Sequence, residues 1–182
     1  GAAAVVATGV GFAGYAFGIE PLWRLKVTRY RPNLPGWTSG LHLRIAVIGA
    51  GPGGLYFAYL WKRRHPDAVI DLFEQNPEGA TWGFGVVFSE QALEFLRADD
   101  PETVDAITPR MESWKNITLN LREQSVEIDG VGFSSIGRLE LLTILQQRVH
   151  AAGVAPRYDT TVKSMDELRG YDLVVAADGL NS

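Results

Sequence analysis

Apolar and polar residues between positions 43 and 75 follow the pattern of a strand, a helix and a second strand. The apolar run at 45–48 is typical of a strand that is buried on both faces. Helical periodicity follows at 55–64, and a second apolar run occupies 68–74. This order predicts the strand–helix–strand unit from which doubly wound α/β sheets are built.

The same periodicities predict further helices and strands downstream. The clearest amphipathic helix spans 138–149, where five apolar residues form one stripe: Leu141, Leu142, Ile144, Leu145 and Val149. A glycine-aromatic loop is predicted at 82–89. The other predicted elements are helices at 90–97 and 102–107 and strands at 117–122, 126–128, 156–159, 161–163 and 171–177. The predicted fold class is therefore α/β.

Three glycines separate the first strand from its helix, in the spacing Gly49-x-Gly51-x-x-Gly54. In a dinucleotide site the first glycine permits the turn, the second lets the backbone approach a pyrophosphate, and the third lets the helix pack on the strand. Pro52 and Gly53 complete the turn, and proline suits the first position of a helix. A glycine-rich turn without a ligand is the alternative, since the chain contains 20 glycines.

A carboxylate at the end of the second strand strengthens the dinucleotide interpretation. Glu74 lies twenty residues beyond Gly54, where an acid that accepts ribose hydroxyls is expected. Asp71 is the competing acid, but it lies within the strand and points to the face opposite Glu74. The sequence therefore predicts a pyrophosphate- and ribose-binding site formed by the glycine turn and Glu74.

Composition narrows the classes of function. The net charge is −4 and no basic run is interleaved with aromatic residues, which argues against nucleic-acid binding. The absence of cysteine excludes disulfides, thiolate nucleophiles and cysteine metal sites. The three histidines, His42, His65 and His150, are widely separated and lack acidic partners at metal-ligand spacing, so no metal site is predicted.

The first nineteen residues form an uncharged apolar leader that is about long enough to cross a bilayer as a helix. A basic cluster at 24–31 follows, and such a cluster favours a cytoplasmic side for the chain beyond it. Five glycines disfavour a helix in the leader, so a membrane span and a loosely packed segment both stay open. Residues 20–42, punctuated by proline and glycine, are predicted as a linker or extended arm.

Three separated motifs between residues 43 and 182 match one known family. They are the glycine turn with Glu74, Gly137-Arg138-Leu-Glu-Leu-Leu142 at the start of a helix, and Asp172-Leu-Val-Val-Ala-Ala-Asp178-Gly179. In these motifs the chain resembles the FAD domain of the group A flavoprotein monooxygenases, the para-hydroxybenzoate hydroxylase-like family. Gly83-Phe-Gly-Val-Val-Phe-Ser89 and Gly132-Phe-Ser-Ser-Ile-Gly-Arg138 are similar to the branch that acts on salicylyl-CoA and 2-aminobenzoyl-CoA.

The resemblance implies FAD as cofactor, NAD(P)H as reductant, and molecular oxygen. It further implies hydroxylation of an aromatic substrate, such as an aromatic acyl-CoA, through a flavin C4a-hydroperoxide. The glycines would take the FAD pyrophosphate, Glu74 the adenosine ribose, and the Arg138 guanidinium another part of the cofactor. No catalytic residue is assigned. The cofactor-binding positions that the resemblance implies are Gly49, Gly51, Pro52, Gly53, Gly54, Glu74, Gln75, Gly85, Arg138, Asp178 and Gly179.

Several of these positions also have a purely structural interpretation. Arg138 would then be a surface arginine at a helix start, Asp178-Gly179 a turn at a strand end, and Gly85 a loop glycine. Gln75 departs from the family pattern, because many relatives place arginine after the ribose-binding glutamate.

The two ends of the sequence fit the flavoprotein family less well. Residues 1–48 resemble the membrane-anchored leader of calcineurin-like metallophosphoesterases, but Gly49-Ala-Gly51 stands where that family's metal ligands would follow. The later Gly-Asp motif and substrate-covering sheet of the flavoproteins do not follow Asp178-Gly179. We therefore expect a leader at 1–19, an arm at 20–42, and the N-terminal portion of an FAD-binding domain at 43–182. Alone, residues 1–182 would bind FAD weakly and would not hydroxylate.

Other functions stay open at the level of sequence. The glycine turn alone fits an NAD-dependent dehydrogenase, and the leader with the turn fits a membrane-tethered nucleotide-binding module without catalysis. The missing ligands disfavour a metallophosphoesterase. A cytoplasmic location is expected, with membrane association through residues 1–19 if that leader acts as an anchor.

Overall fold

The computed structural model describes residues 42–122, 124–130 and 132–179. The predicted leader at 1–19 and all but the last residue of the predicted arm at 20–42 lie outside the described residues. The elements within the described part are β1 (Arg44–Ile48), α1 (Pro52–Arg64), β2 (Val69–Phe73), β3 (Gly85–Ser89), α2 (Glu90–Asp99), α3 (Pro101–Ile107), β4 (Glu112–Trp114), β5 (Ile117–Leu121), β6 (Gln124–Ile128), β7 (Phe133–Gly137), α4 (Arg138–Ala151), β8 (Pro156–Arg157) and β9 (Leu173–Ala176), with 3₁₀ turns at Thr108–Arg110 and Met165–Leu168.

A parallel sheet in the order β8-β2-β1-β9 forms the centre of the fold. Strand β1 pairs with β2 from Arg44 against Val69 to Ile48 against Phe73, and on its other side Ile45 pairs with Leu173. Because β1 lies inside the sheet, its middle residues are fully buried, as the apolar run predicted. The carboxyl ends of β1, β2 and β9 therefore meet at one edge.

The two faces of β1 bury different clusters. Ile45 and Val47 pack with Leu55 of α1 and with Leu141 and Leu145 of α4 in the main core. Ala46, which points the other way, packs with Phe73 and Leu168 in a smaller cluster. Helices α1 and α4 thus cover one face of the parallel sheet. This packing places the first residues of both helices next to the carboxyl edge of the sheet.

Two antiparallel arrangements complete the described part. Strands β3, β7 and β4 form a three-stranded sheet in the order β3-β7-β4, and β5 and β6 form a separate hairpin. In the first, Gly85 lies opposite Gly137 and Ser89 opposite Phe133. This pairing delivers the chain directly from β7 into α4, since Gly137 is followed by Arg138 at the helix start.

Helix boundaries follow from capping residues. Helix α1 begins three residues before the predicted 55–64 pattern, because Pro52 occupies its first turn, where a missing N–H costs nothing. Ser89 caps α2, since its Oγ accepts a hydrogen bond of 3.2 Å from the Ala92 N–H. Asp100 caps α3 ahead of Pro101. The apolar stripe predicted for 138–149 is confirmed, because its five residues are all buried in α4.

Two predictions about local structure are wrong. Residues 82–89 are not all loop, because 85–89 form β3; pairing with β7 outweighs the glycine content that suggested a loop. Residues 161–163 form no strand, since the described chain offers them no ladder partner there. Strands β4 and β7 were not predicted.

Within the described residues, no helix is both long enough and apolar enough to cross a membrane.

The buried hydroxyl of Tyr56 on α1 leads to a prediction at alkaline pH. Burial, reinforced by the negative charges of Asp100 and Asp99, raises the pKa of Tyr56 from 10.0 to about 12. The folded chain holds the Tyr56 proton more tightly than the unfolded chain does. The contribution of this hydroxyl to the free energy of unfolding is therefore fully present below pH 10 and is lost as the pH rises to about 12. We expect Tyr56→Phe to make the free energy of unfolding less dependent on pH across that window, as measured by urea denaturation at fixed pH values. An unchanged pH dependence in the variant would contradict the assignment.

Candidate functional site: a cavity at the carboxyl edge of the parallel sheet

A cavity of about 700 Å³ opens at the edge where β1, β2 and β9 end. Its volume is within the range of small-molecule and cofactor sites. The position is also the one at which open α/β sheets bind ligands. Its wall consists of Ile48–Gly53, Phe73–Pro77, Gly79–Trp82, Arg138, Leu142, Gln146, Tyr158, Thr160–Val162 and Ala177–Gly179.

Gly49 joins the glycine turn to the Asp178-Gly179 motif. Its φ of +98° is in the region that favours glycine, and its N–H donates to the Phe73 carbonyl oxygen at 2.7 Å. A Cβ atom at this position would lie 2.6 Å from the Ala177 carbonyl oxygen and 2.8 Å from the Asp178 Cα. Motifs that are far apart in sequence therefore contact each other, and a side chain at position 49 would separate them.

Gly51 and Gly53 present open backbone to the cavity. Among the described residues, no heavy atom lies within 4 Å of a Cβ built at either position. Helix α1 starts between them, so the positive end of its dipole and its first N–H groups lie at the cavity wall. This part of the wall has the shape and charge that an approaching phosphate group requires.

Gly54 has a different role, because it does not line the cavity. A Cβ atom there would overlap the carbonyl oxygen of Gly49 and lie 3.3 Å from the Ala177 Cβ. The third glycine therefore permits close packing of α1 on the turn, as the spacing predicted.

Glu74 lies in the cavity wall and also binds the glycine turn itself. Its Oε2 accepts a hydrogen bond of 2.8 Å from the Ala50 N–H. Its Oε1 accepts two from Asn76, at 2.9 Å from the backbone N–H and at 2.8 Å from Nδ2. The carboxylate is thus held at the ligand side of the turn by donors from two neighbouring segments.

Asp71, the competing acid, lies outside the cavity wall. Its carboxylate accepts hydrogen bonds from Arg157 Nη2 at 2.6 Å, Tyr171 Oη at 2.7 Å and Arg44 Nη2 at 3.4 Å. Burial raises the pKa of Tyr171, and the Asp71 carboxylate contributes in the same direction. These partners give Asp71 a structural role and leave Glu74 as the acid of the site.

Arg138 enters the cavity from the first position of α4. Its backbone N–H donates to the Phe84 carbonyl oxygen at 3.1 Å, which ties the helix start to the loop before β3. Its Nε is buried and has no hydrogen-bond partner among the described residues. A buried guanidinium nitrogen without a partner is costly, so a ligand oxygen at this point would satisfy it. A purely surface role for Arg138 does not fit this burial.

The remaining predicted positions divide between the wall and its surroundings. Pro52, Gln75, Asp178 and Gly179 line the cavity. Gly85 does not: it lies in β3, where a Cβ atom would be 3.0 Å from the Ile136 carbonyl oxygen. Close packing of β3 on β7 explains why glycine stands at position 85. A cofactor contact for Gly85 stays a prediction.

Several wall residues were not found from the sequence. Leu142 and Gln146 were not predicted as site residues, but they follow the predicted Arg138 at intervals of four residues on α4, so one face of this helix lines the cavity. Gln146 Nε2 donates to the Tyr158 Oη at 2.7 Å. Burial raises the pKa of Tyr158, with a further contribution from the Glu78 charge, so its hydroxyl keeps its proton.

In the described part of the chain, no group of three or more histidine, aspartate or glutamate side chains is placed to hold a metal ion. The resemblance of residues 1–48 to a metallophosphoesterase leader is also unsupported by the comparisons with known proteins.

Curated relatives of the chain include enzymes that are named as a hydroxylase or as monooxygenases. The chain is 41% identical over 140 residues to a salicyloyl-CoA 5-hydroxylase of Streptomyces sp.. This alignment covers 77% of the chain and 27% of the relative. The chain is 34% identical over 147 residues to protodeoxyviolaceinate monooxygenase of Chromobacterium violaceum, covering 76% of this chain and 38% of the relative. A 3-hydroxy-4-methyl-anthranilyl-[aryl-carrier protein] 5-monooxygenase of Streptosporangium sibiricum is 29% identical over 140 residues, covering 77% of this chain and 39% of the relative. The chain thus spans well under half the length of these relatives. No protein-family model matches it.

Solved structures with the same fold include oxygenases. FqzB aligns with a TM-score of 0.62 at 21% identity, over 77% of this chain and 36% of that one. The tetrameric form of 2-methyl-3-hydroxypyridine-5-carboxylic acid oxygenase aligns with a TM-score of 0.57 at 21% identity, over 66% and 32%. These alignments show a shared fold. Together with the curated relatives, they support an FAD-dependent aromatic monooxygenase.

Proposed function

We propose that residues 43–182 are the N-terminal portion of a Rossmann-like FAD-binding domain, and that the protein to which they belong hydroxylates an aromatic substrate. The observation that supports this most is the convergence of four features, drawn from the three motifs, on one cavity. The glycine turn, Glu74, Arg138 and Asp178-Gly179 all lie in its wall. A turn formed for structural reasons alone would not require the other three.

The residues present fit the adenosine diphosphate part of FAD. The open backbone at Gly51 and Gly53 leaves space for a pyrophosphate at the start of α1. The unpartnered Nε of Arg138 offers a donor to a cofactor oxygen. Glu74 offers a carboxylate to the ribose at the position that dinucleotide folds use.

Bound FAD would supply the redox chemistry, in which NAD(P)H, a proton and O₂ convert an aromatic C–H into a C–OH with release of NAD(P)⁺ and water. The residues of this chain would bind and orient the cofactor and exclude water from it. The substrate class we propose is an aromatic thioester, since one relative is named for a coenzyme A thioester and another for a carrier-protein thioester.

The proposed location is the cytoplasm, where a supply of NAD(P)H is available. Membrane association through residues 1–19 stays a prediction from the sequence, as does the inactivity of residues 1–182 alone.

Arg138 provides the first test. We expect Arg138→Ala to weaken FAD binding by about tenfold to a hundredfold, the range for a lost hydrogen bond to a charged group. Arg138→Lys should give an intermediate loss, because lysine keeps the charge but not the planar fork. FAD affinity is measured by fluorescence titration, and thermal unfolding of the apoprotein is followed in parallel. The apoprotein should not be destabilised, since the substitution removes a buried nitrogen that has no partner.

Arg169→Ala is the matched control. Arg169 is exposed and pairs with Asp166 on the surface, so its removal should leave FAD affinity unchanged. If full-length wild-type protein retains no flavin and shows no flavin absorbance, the proposed function is wrong. If it binds FAD and Arg138→Ala binds equally well, only the role of Arg138 is wrong.

The thioester preference is tested with the full-length protein. NAD(P)H oxidation and product formation are measured with an ortho-hydroxybenzoyl-CoA and with the corresponding free acid. We expect hydroxylated product from the thioester and little from the acid. Equal turnover of both, or turnover of the acid alone, would contradict the proposed substrate class.

A further inference from the structure

The hydrogen bonds of Glu74 limit what this carboxylate can still accept. An ionised carboxylate has about four lone-pair sites, two on each oxygen. Oε1 uses both of its sites on Asn76, through the backbone N–H and Nδ2. Oε2 uses one on the Ala50 N–H. One acceptor site on Oε2 therefore remains for a ligand.

Rotation of the Glu74 carboxylate would not free a second acceptor site without breaking at least one of these three hydrogen bonds. Ala50 belongs to the glycine turn, whose neighbouring Gly49 N–H is bonded to the Phe73 carbonyl oxygen at 2.7 Å. The Glu74 backbone is fixed as well, since its N–H donates to the Arg157 carbonyl oxygen at 2.9 Å and its carbonyl oxygen accepts from the Thr160 N–H at 2.8 Å. The carboxylate is thus held between two rigid segments.

Asn76 is itself fixed through its backbone, because its carbonyl oxygen accepts a hydrogen bond of 3.2 Å from the Asp159 N–H. This bond and the bond from the Asn76 N–H to Glu74 survive a change of side chain at position 76. Only the Nδ2 donor is lost in Asn76→Ala. The contribution of that donor can therefore be isolated.

We propose that Asn76 is a positioning residue that commits Glu74 to accept only one of the two hydroxyls of the bound adenosine ribose. The inference rests on the proposed function, because it requires an adenine nucleotide in the cavity. It differs from the simpler expectation that Glu74 accepts both hydroxyls. Removal of the Asn76 side chain would return a lone pair to Oε1 and allow the second hydroxyl to bind.

The experiment compares ADP, 2′-deoxy-ADP and 3′-deoxy-ADP as competitors against FAD, using the full-length protein. With wild-type protein we expect one deoxy analogue to bind about tenfold more weakly than ADP and the other to bind within about threefold of it. With Asn76→Ala the dissociation constants of the two deoxy analogues should come within about twofold of each other. If Asn76 had only a structural role, its removal would weaken the binding of all three ligands by the same factor. The ratios of their dissociation constants would then stay unchanged.

Asn116→Ala is the matched control, because Asn116 Nδ2 also donates to a glutamate carboxylate, that of Glu127, outside the cavity wall. It should keep the wild-type ratios. Equal dependence of wild-type binding on both hydroxyls would overturn the inference, and this result needs no variant. Persistence of unequal ratios in Asn76→Ala would also overturn it. Failure of FAD and ADP to bind wild-type protein would instead contradict the proposed function.

Discussion

Gly54→Ala is expected to destabilise the folded chain by about 3 kcal/mol or more, because the added methyl group has no space. Its Cβ would overlap the Gly49 carbonyl oxygen and lie 3.1 Å from the Gly49 carbonyl carbon. Both are backbone atoms of the turn, so relief requires α1 to move away from β1. FAD affinity should fall together with stability, since the wall residues of the turn move with the helix. Urea denaturation and FAD titration measure the two effects.

Gly53→Ala is the control within the same helix. Its Cβ would meet no heavy atom of the described residues within 4 Å, and alanine is favoured over glycine within helices by about 0.5–1 kcal/mol. The apoprotein should be as stable as the wild type or slightly more stable. Because position 53 lines the cavity, FAD binding should nevertheless weaken. Equal unfolding midpoints for Gly54→Ala and Gly53→Ala would show that close helix packing is not required.

Asp100→Ala is expected to cost about 2–4 kcal/mol of stability, from lost hydrogen bonds to charged groups at roughly 1.5–3 kcal/mol and a lost helix cap at about 1 kcal/mol. Asp100 is fully buried and its carboxylate accepts from Arg63 at 2.9 Å and Arg148 at 3.4 Å. It also caps α3 by accepting from the Thr103 N–H at 3.3 Å. One side chain thus joins α1, α3 and α4, and its loss leaves two guanidinium groups without their buried partner.

Asp105→Ala tests whether the burial of Asp100 is the reason for this expected loss of stability. Asp105 pairs with Arg97 at a comparable 2.9 Å, but both side chains are more than half exposed. Its loss should cost less than about 1 kcal/mol. Neither aspartate lines the cavity, so FAD affinity measured well below the unfolding transition should be unchanged in both variants. Similar stability losses for the two variants would contradict the argument from burial.

The first half of the site could be predicted because its chemistry is local in sequence. The turn at 49–54 and Glu74 belong to one strand–helix–strand unit, and the period of the apolar residues places them at the same sheet edge. Arg138 and Asp178 could be connected to them only by resemblance. Their proximity depends on the pairing of β1 with β9 and on the packing of α4, which no local pattern encodes.

The failures of prediction have the same origin. Strand β3 contains glycine and follows an aromatic loop, so its local propensity is weak, and it is a strand because β7 pairs with it. Asn76 resembles an ordinary turn residue before Pro77. Its contact with Glu74 becomes visible only when the turn geometry is known. The sequence pattern predicted the edge of the sheet at which the cavity lies, whereas the hydrogen bonds that position the Glu74 carboxylate depend on contacts that no local pattern encodes.

The pairing of β1 with β9 has a consequence for the order of folding during synthesis. The Arg44 N–H donates to the Asp172 carboxylate at 2.7 Å across a separation of 128 residues. Contacts of such long range form slowly, because much chain entropy is lost before they add stability. While a ribosome is still making the intervening segment, β1, α1 and β2 lack β9 and the following Ala177, whose carbonyl oxygen lies against Gly49. A nascent chain therefore completes the wall of this cavity only after β9 has emerged, and under the proposed function FAD would bind only after that strand has been translated.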